Sequence, residues 1–91
     1  MIRSELHWYV YILECADNTL YTGITNNLQK RLDQHNRGKA ASYTRGRIPV
    51  TLNYFERVNN RGDALRREWK IKNMTRAMKL DMIRKFEYSL N

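Results

Sequence analysis

The sequence predicts an α/β (α+β) domain built on a small, mostly antiparallel three-stranded sheet flanked by helices. Two short aromatic segments, Trp8-Tyr9-Val10-Tyr11-Ile12-Leu13 and Leu20-Tyr21-Thr22-Gly23-Ile24-Thr25, are separated by turn-forming residues and read as a hairpin. A third segment, Val50-Thr51-Leu52-Asn53-Tyr54-Phe55, is again rich in β-branched and aromatic residues. The intervals after the second and third strands carry cap residues and helical spacing instead. With 91 residues the chain has material for one modest core, and it is read as a single domain over 1–91.

Side chains alternate along a strand, so the first strand sends Trp8, Val10 and Ile12 to one face and Tyr9, Tyr11 and Leu13 to the other. Both faces are apolar or aromatic. The sheet is therefore expected to carry helices on one side and a third layer or a binding surface on the other. Ala16-Asp17-Asn18 supplies the turn. Thr25, Asn26 or Asn27 is placed to cap a helix starting near Leu28, which Gly38 ends. The stretch from Gly38 to Pro49 holds three glycine or proline breakers, three basic residues and no acid, and reads as a loop. Asn59, Asn60 or Arg61-Gly62-Asp63 begins a second helix that runs to about Asn73. Thr75 caps a third, reaching towards Tyr88. Trp69, Met78, Met82, Ile83 and Phe86 recur at helical spacing and are expected to pack in the core.

Seventeen basic residues against nine acidic ones give a formal charge of +8, a field that draws in phosphate backbones. A mean hydropathy of -0.77 and the lack of a long apolar run argue against a membrane span. The first residues lack a signal peptide's apolar stretch. Cys15 is the only cysteine, so no internal disulfide forms and a reducing, cytoplasmic compartment is expected. Neither Cys15 nor His7 has sequence neighbours that suggest a chemical role.

The charge implies only that phosphate backbones are drawn in; were such a backbone also cleaved, the hydrolysis would need an activated water, a cation at the phosphoryl oxygens and stabilisation of the departing oxygen. Arginine suits the second task, because its planar fork of donors matches phosphate oxygens and keeps its charge. Arg31 is the candidate, and His35, one helical turn on, shares its face. On the second helix Ile71, Ala64, Leu65 and Trp69 define an apolar arc, and Glu68 falls inside it. A carboxylate there needs a partner, either a metal ion or a salt bridge with Lys72, Arg67 or Lys70. Magnesium keeps several waters and takes one or two carboxylates plus substrate phosphate, so a single glutamate is sufficient.

The ordered set Tyr9-Val10-Tyr11, Tyr21-Thr22-Gly23, Arg31, His35 and Glu68 resembles the GIY-YIG nuclease signature. Length and the Tyr43-Thr44-Arg45 segment look most like its small, free-standing members of the YhbQ type. The resemblance implies a Mg2+ (or Mn2+)-dependent endonuclease acting on DNA, in repair, recombination or turnover. It implies catalytic roles for Tyr11, Tyr21, Arg31 and His35 and a metal-binding role for Glu68. Tyr11 or Tyr21 would help deprotonate the attacking water, and His35 would orient a tyrosine hydroxyl or the nucleophile. The sequence departs from the family name at Tyr9, at Val10 and at Thr22, while both tyrosines and Gly23 remain. The asparagine that many members place after the glutamate has only Asn73 as a counterpart, at a spacing that does not match.

Lys39, Tyr43, Arg45 and Arg47 form the expected nucleic-acid contact surface, with basic groups for phosphates and a ring for an exposed base. DNA is the expected partner, with RNA the alternative; membranes are not, and monomer and homodimer are both open. The alternative functions are a non-catalytic nucleic-acid-binding module with the same fold and an RNA- or ribosome-associated factor.

Overall fold

In a computed structural model, which describes residues 7–90, the chain forms β1 (Trp8–Glu14), β2 (Leu20–Thr25), α1 (Leu28–Asn36), α2 (Ser42–Arg45), β3 (Thr51–Val58), α3 (Arg61–Lys72) and α4 (Arg76–Leu90). The leader-peptide reading concerns the first six residues and lies outside the described ones. No helix among the described residues is long and apolar enough to cross a membrane.

The strands lie in the order β2-β1-β3, with both pairings antiparallel. In the hairpin Tyr11 stands opposite Gly23 and Leu13 opposite Tyr21. Asp17 closes the turn by accepting from the backbone and hydroxyl of Thr19, while Asn18 takes the left-handed conformation at φ 68 that asparagine tolerates. On the other edge the β1–β3 register shifts between Ile12 and Leu13, and Asn53 in that irregularity donates to Glu14 at 2.9 Å.

The alternation of β1 divides the core in two. Val10 and Ile12 pack with Ala64 and Ile71 of α3 and Ile83 of α4, while Tyr11, Leu13, Cys15 and Val50 pack with Leu28 and Leu32 of α1. Helices thus cover both faces of the sheet, and the second face is also the one that carries the tyrosines. Asn27 is the α1 cap, its side chain accepting from Lys30 N, and Asn60 caps α3 by accepting from Asp63 N. Thr75 accepts from Met78 N at the start of α4.

Three expectations are corrected. The Gly38–Pro49 segment is not loop throughout: it contains the one-turn helix α2, held by Thr44 and Arg45 bonding back to the Ala41 carbonyl. The third strand starts at Thr51 and runs on to Val58, because β1 offers pairing partners as far back as Trp8. Trp69 and Met78 are not core residues, being 67% and 51% exposed, and Leu65 is exposed too. The buried stripe of α3 is narrow, centred on Ala64 and Ile71. At about 100° per residue Leu65 and Trp69 turn away from it, whereas Glu68 and Arg67 flank it on opposite sides.

Candidate active site

Directly opposite Tyr11 in the hairpin, Gly23 leaves room for the phenol to lie across the neighbouring strand. A Cβ at position 23 would stand 2.5 Å from the Tyr11 hydroxyl and 3.1 Å from the Tyr21 ring. The glycine is therefore required by the close approach of two tyrosines.

The Tyr11 hydroxyl lies 2.9 Å from His35 Nε2, and His35 Nδ1 lies 2.8 Å from Thr44 Oγ1. All three side chains are buried. The Thr44 hydroxyl also reaches the carbonyl of Ala41 at 3.2 Å. A carbonyl only accepts, so this bond takes the threonine proton and leaves Oγ1 to accept Nδ1–H. With that tautomer, Nε2 accepts the Tyr11 proton. The donor count thus assigns a directed chain from Tyr11 through His35 to Thr44. Tyr21 packs its ring against His35 with centroids 5.2 Å apart, completing an aromatic wall.

Burial, and secondarily the charge of Arg31, pushes the His35 pKa down to about 4. Its imidazole is neutral at ordinary pH and available as an acceptor. Burial raises the Tyr11 pKa, with the charges of Tyr21 and Glu68 adding to the rise and Arg31 opposing it. Arg31 is half-buried on α1. Arg31 on α1 and Glu68 on α3 thus shift this hydroxyl in opposite directions, each by less than burial does.

Glu68 keeps a side-chain exposure of 19% and pairs through Oε2 with Lys72 Nζ at 3.1 Å. Of the other cations near it in sequence, Arg67 is committed elsewhere, donating to Glu56 at 2.6 Å in a cluster completed by the Tyr54 hydroxyl. No group of three or more His, Cys, Asp or Glu side chains converges among the described residues. One partly exposed carboxylate suits a hard cation that retains waters and takes further oxygens from substrate phosphate. Glu68 thus fits magnesium or manganese bound jointly with substrate.

The basic segment divides. Arg47 is already engaged, pairing with Asp17 at 2.9 Å, donating to the Tyr43 carbonyl and lying 4.2 Å over the Tyr43 ring. Tyr43 also stacks on Tyr21 at 5.9 Å, so its ring is tied to the tyrosine wall. Lys39 and Arg45 are exposed and form no ion pair among the described residues. Two contributors were not picked out from the sequence. Thr44 orients His35, and Asn36 exchanges two hydrogen bonds with the backbone of Val50, at 2.7 and 3.2 Å, fixing the segment's far end. Asn36 follows His35 directly, and Thr44 sits between Tyr43 and Arg45, both already singled out; their adjacency was the available signal.

Residues 7–81 match the GIY-YIG catalytic domain. The chain belongs to the GIY-YIG family. It is 57% identical over 75 residues to a UPF0213 protein of Clostridium perfringens, a match covering 82% of this chain and 81% of that one. A UPF0213 protein of Pediococcus pentosaceus is 47% identical over 83 residues, covering 91% and 87%. The solution NMR structure of a UPF0213 protein from Bacillus halodurans superposes with a TM-score of 0.55 at 39% identity, covering 85% of this chain and 82% of that one. These agree with a small GIY-YIG protein of the YhbQ type. The departures from the family name fall where the fold absorbs them. Tyr9 packs edge-on against Phe55 at 6.2 Å, and Val10 and Thr22 are buried, with Val10 in the helix-packed core away from the tyrosine wall.

Proposed function

We propose that this GIY-YIG protein is a divalent-metal-dependent endonuclease that hydrolyses phosphodiester bonds in DNA. The observation that carries the reading is the buried Tyr11 hydroxyl, hydrogen-bonded at 2.9 Å to His35, an imidazole that burial keeps neutral. In the proposed reaction Tyr11 oxygen takes a proton from the attacking water while its own proton passes to His35 Nε2. The imidazolium so formed keeps its Nδ1–H bond to Thr44. Arrival of an anionic phosphate favours that charged form, raising the proton affinity of His35 when it is needed. Arg31 binds the non-bridging oxygens, where negative charge builds in the transition state. Glu68 would hold a divalent cation, whose positive charge would offset the charge developing on the leaving oxygen. Tyr21 holds the imidazole in place through ring contact and lines the substrate side.

The Glu68–Lys72 ion pair favours the second reading, a nucleic-acid-binding module in which the carboxylate is simply neutralised. Arg31→Ala distinguishes the two. In the nuclease reading it lowers single-turnover cleavage by about 10²–10³-fold, the usual loss for one transition-state donor, with a much smaller change in DNA affinity. Cleavage unaltered in a homogeneous preparation would reject the assigned site.

A further inference from the structure

Beside the tyrosine wall lies a hollow of about 230 Å3, lined by Thr19 from the hairpin turn and Leu20 at the start of β2, Tyr43 from α2, and Arg76 and Lys79 from the start of α4. Three separate parts of the chain meet there, and the lining holds two cations and no acid. Arg76 is already positioned, because one of its guanidinium nitrogens donates to the Asn18 carbonyl at 2.8 Å, leaving its other donors free for a ligand. Lys79 is half-buried, yet it has no carboxylate partner among the described residues. The nearby acids are engaged elsewhere: Asp17 by Arg47 and Thr19, and Asp81 by Arg84 and Lys85. Two cations so placed, without internal counter-charges, complement an anion.

The hollow adjoins the candidate active site through one aromatic contact. Its wall residue Tyr43 stacks on Tyr21, whose ring in turn packs against His35. We propose that Arg76 and Lys79 bind a backbone phosphate of the DNA strand, on a nucleotide flanking the one presented to Tyr11 and Arg31. Tyr43 forms the side of this subsite, and the two cations fix the register of the strand by gripping a phosphate away from the scissile bond. Phosphate contacts of this kind position a strand without reading its sequence.

This inference builds on the nuclease reading but is tested by binding alone. The experiment measures fluorescence anisotropy of a labelled single-stranded DNA oligonucleotide without divalent metal, over a range of salt concentrations. It compares the parent with Arg76→Gln/Lys79→Gln and with Lys30→Gln/Arg37→Gln, a charge-matched control on exposed positions of α1 and its C-cap. Loss of a two-cation phosphate grip lowers the salt slope of log K by about 0.7 for a single neutralised phosphate and up to about 1.4 for two. The control keeps the parent slope. Amide spectra of the parent titrated with a short oligonucleotide should also move Leu20, Tyr43 and Lys79 together. Equal slopes for the groove variant and the parent, or the same decrease in groove variant and control, would overturn the subsite. If the slope changes as expected but no variant or parent cleaves DNA, the subsite stands and the nuclease reading fails.

Discussion

Gly23 and His35 show how individual residues are set by what they touch. A methyl group at position 23 collides with the very hydroxyl that His35 holds, so Gly23→Ala must displace Tyr11. Cleavage should drop at least about 10²-fold, since a displaced reacting group loses the advantage of position. Thermal unfolding should show a stability cost of about 1–3 kcal/mol, as expected for overpacking. Normal activity with Tyr11 unmoved would contradict that geometry. His35 makes the pH prediction. Its folded pKa of about 4 is below the ordinary value of 6.5, so the neutral form belongs to the native state. The resulting stability is complete above about pH 6.5 and is lost as pH falls towards 4, where the unfolded chain binds a proton that the folded one refuses. Chemical denaturation across that window should show the decline for the parent and a shallower one for His35→Gln.

At the scale of elements, α3 does two jobs with one narrow stripe. Ala64 and Ile71 seat it on the sheet, and Glu68 at the edge of that stripe is thereby held in relation to Tyr11. Ile71→Ala should cost about 2–5 kcal/mol in urea unfolding, whereas Trp69→Ala should cost less than about 1. Equal losses would mean that the helix is seated differently. This helix also shows where the sequence was legible. Its existence, its Asn60 cap among the alternatives and the half-buried place of Glu68 followed from caps and periodicity. The status of Leu65 and Trp69 did not, because hydrophobicity on a helix does not say how wide the covered stripe is. The one-turn helix α2 escaped for a related reason: four residues give no period, and its anchor is the tertiary Thr44–His35 bond.

For the whole molecule, helices cover both sides of a three-stranded sheet, with α1 bringing His35 against Tyr11 and Tyr21 on one face and α3 carrying Glu68 on the other layer. The hairpin, the third strand and the three long helices were readable from alternation, turns and caps. The tyrosines, Arg31, His35 and Glu68 stood out only as an ordered set resembling the GIY-YIG signature, and of these the fold brings Tyr11, Tyr21 and His35 into direct contact. The directed bond from Tyr11 to Thr44 and the Arg76–Lys79 hollow were not, since each needs residues from distant segments to meet in space.

The central claim is that Glu68 and a divalent cation together enable cleavage at the Tyr11 site. Its most direct measurement follows labelled single-stranded, duplex and branched DNA with and without magnesium, using the parent beside an equally pure Glu68→Ala variant. Cleavage of at least one substrate by the parent is expected only when magnesium is present. The variant should lose about 10²-fold or more, with DNA binding largely kept. Binding of every substrate without cleavage, or metal-dependent cleavage that survives in the variant, would contradict the claim.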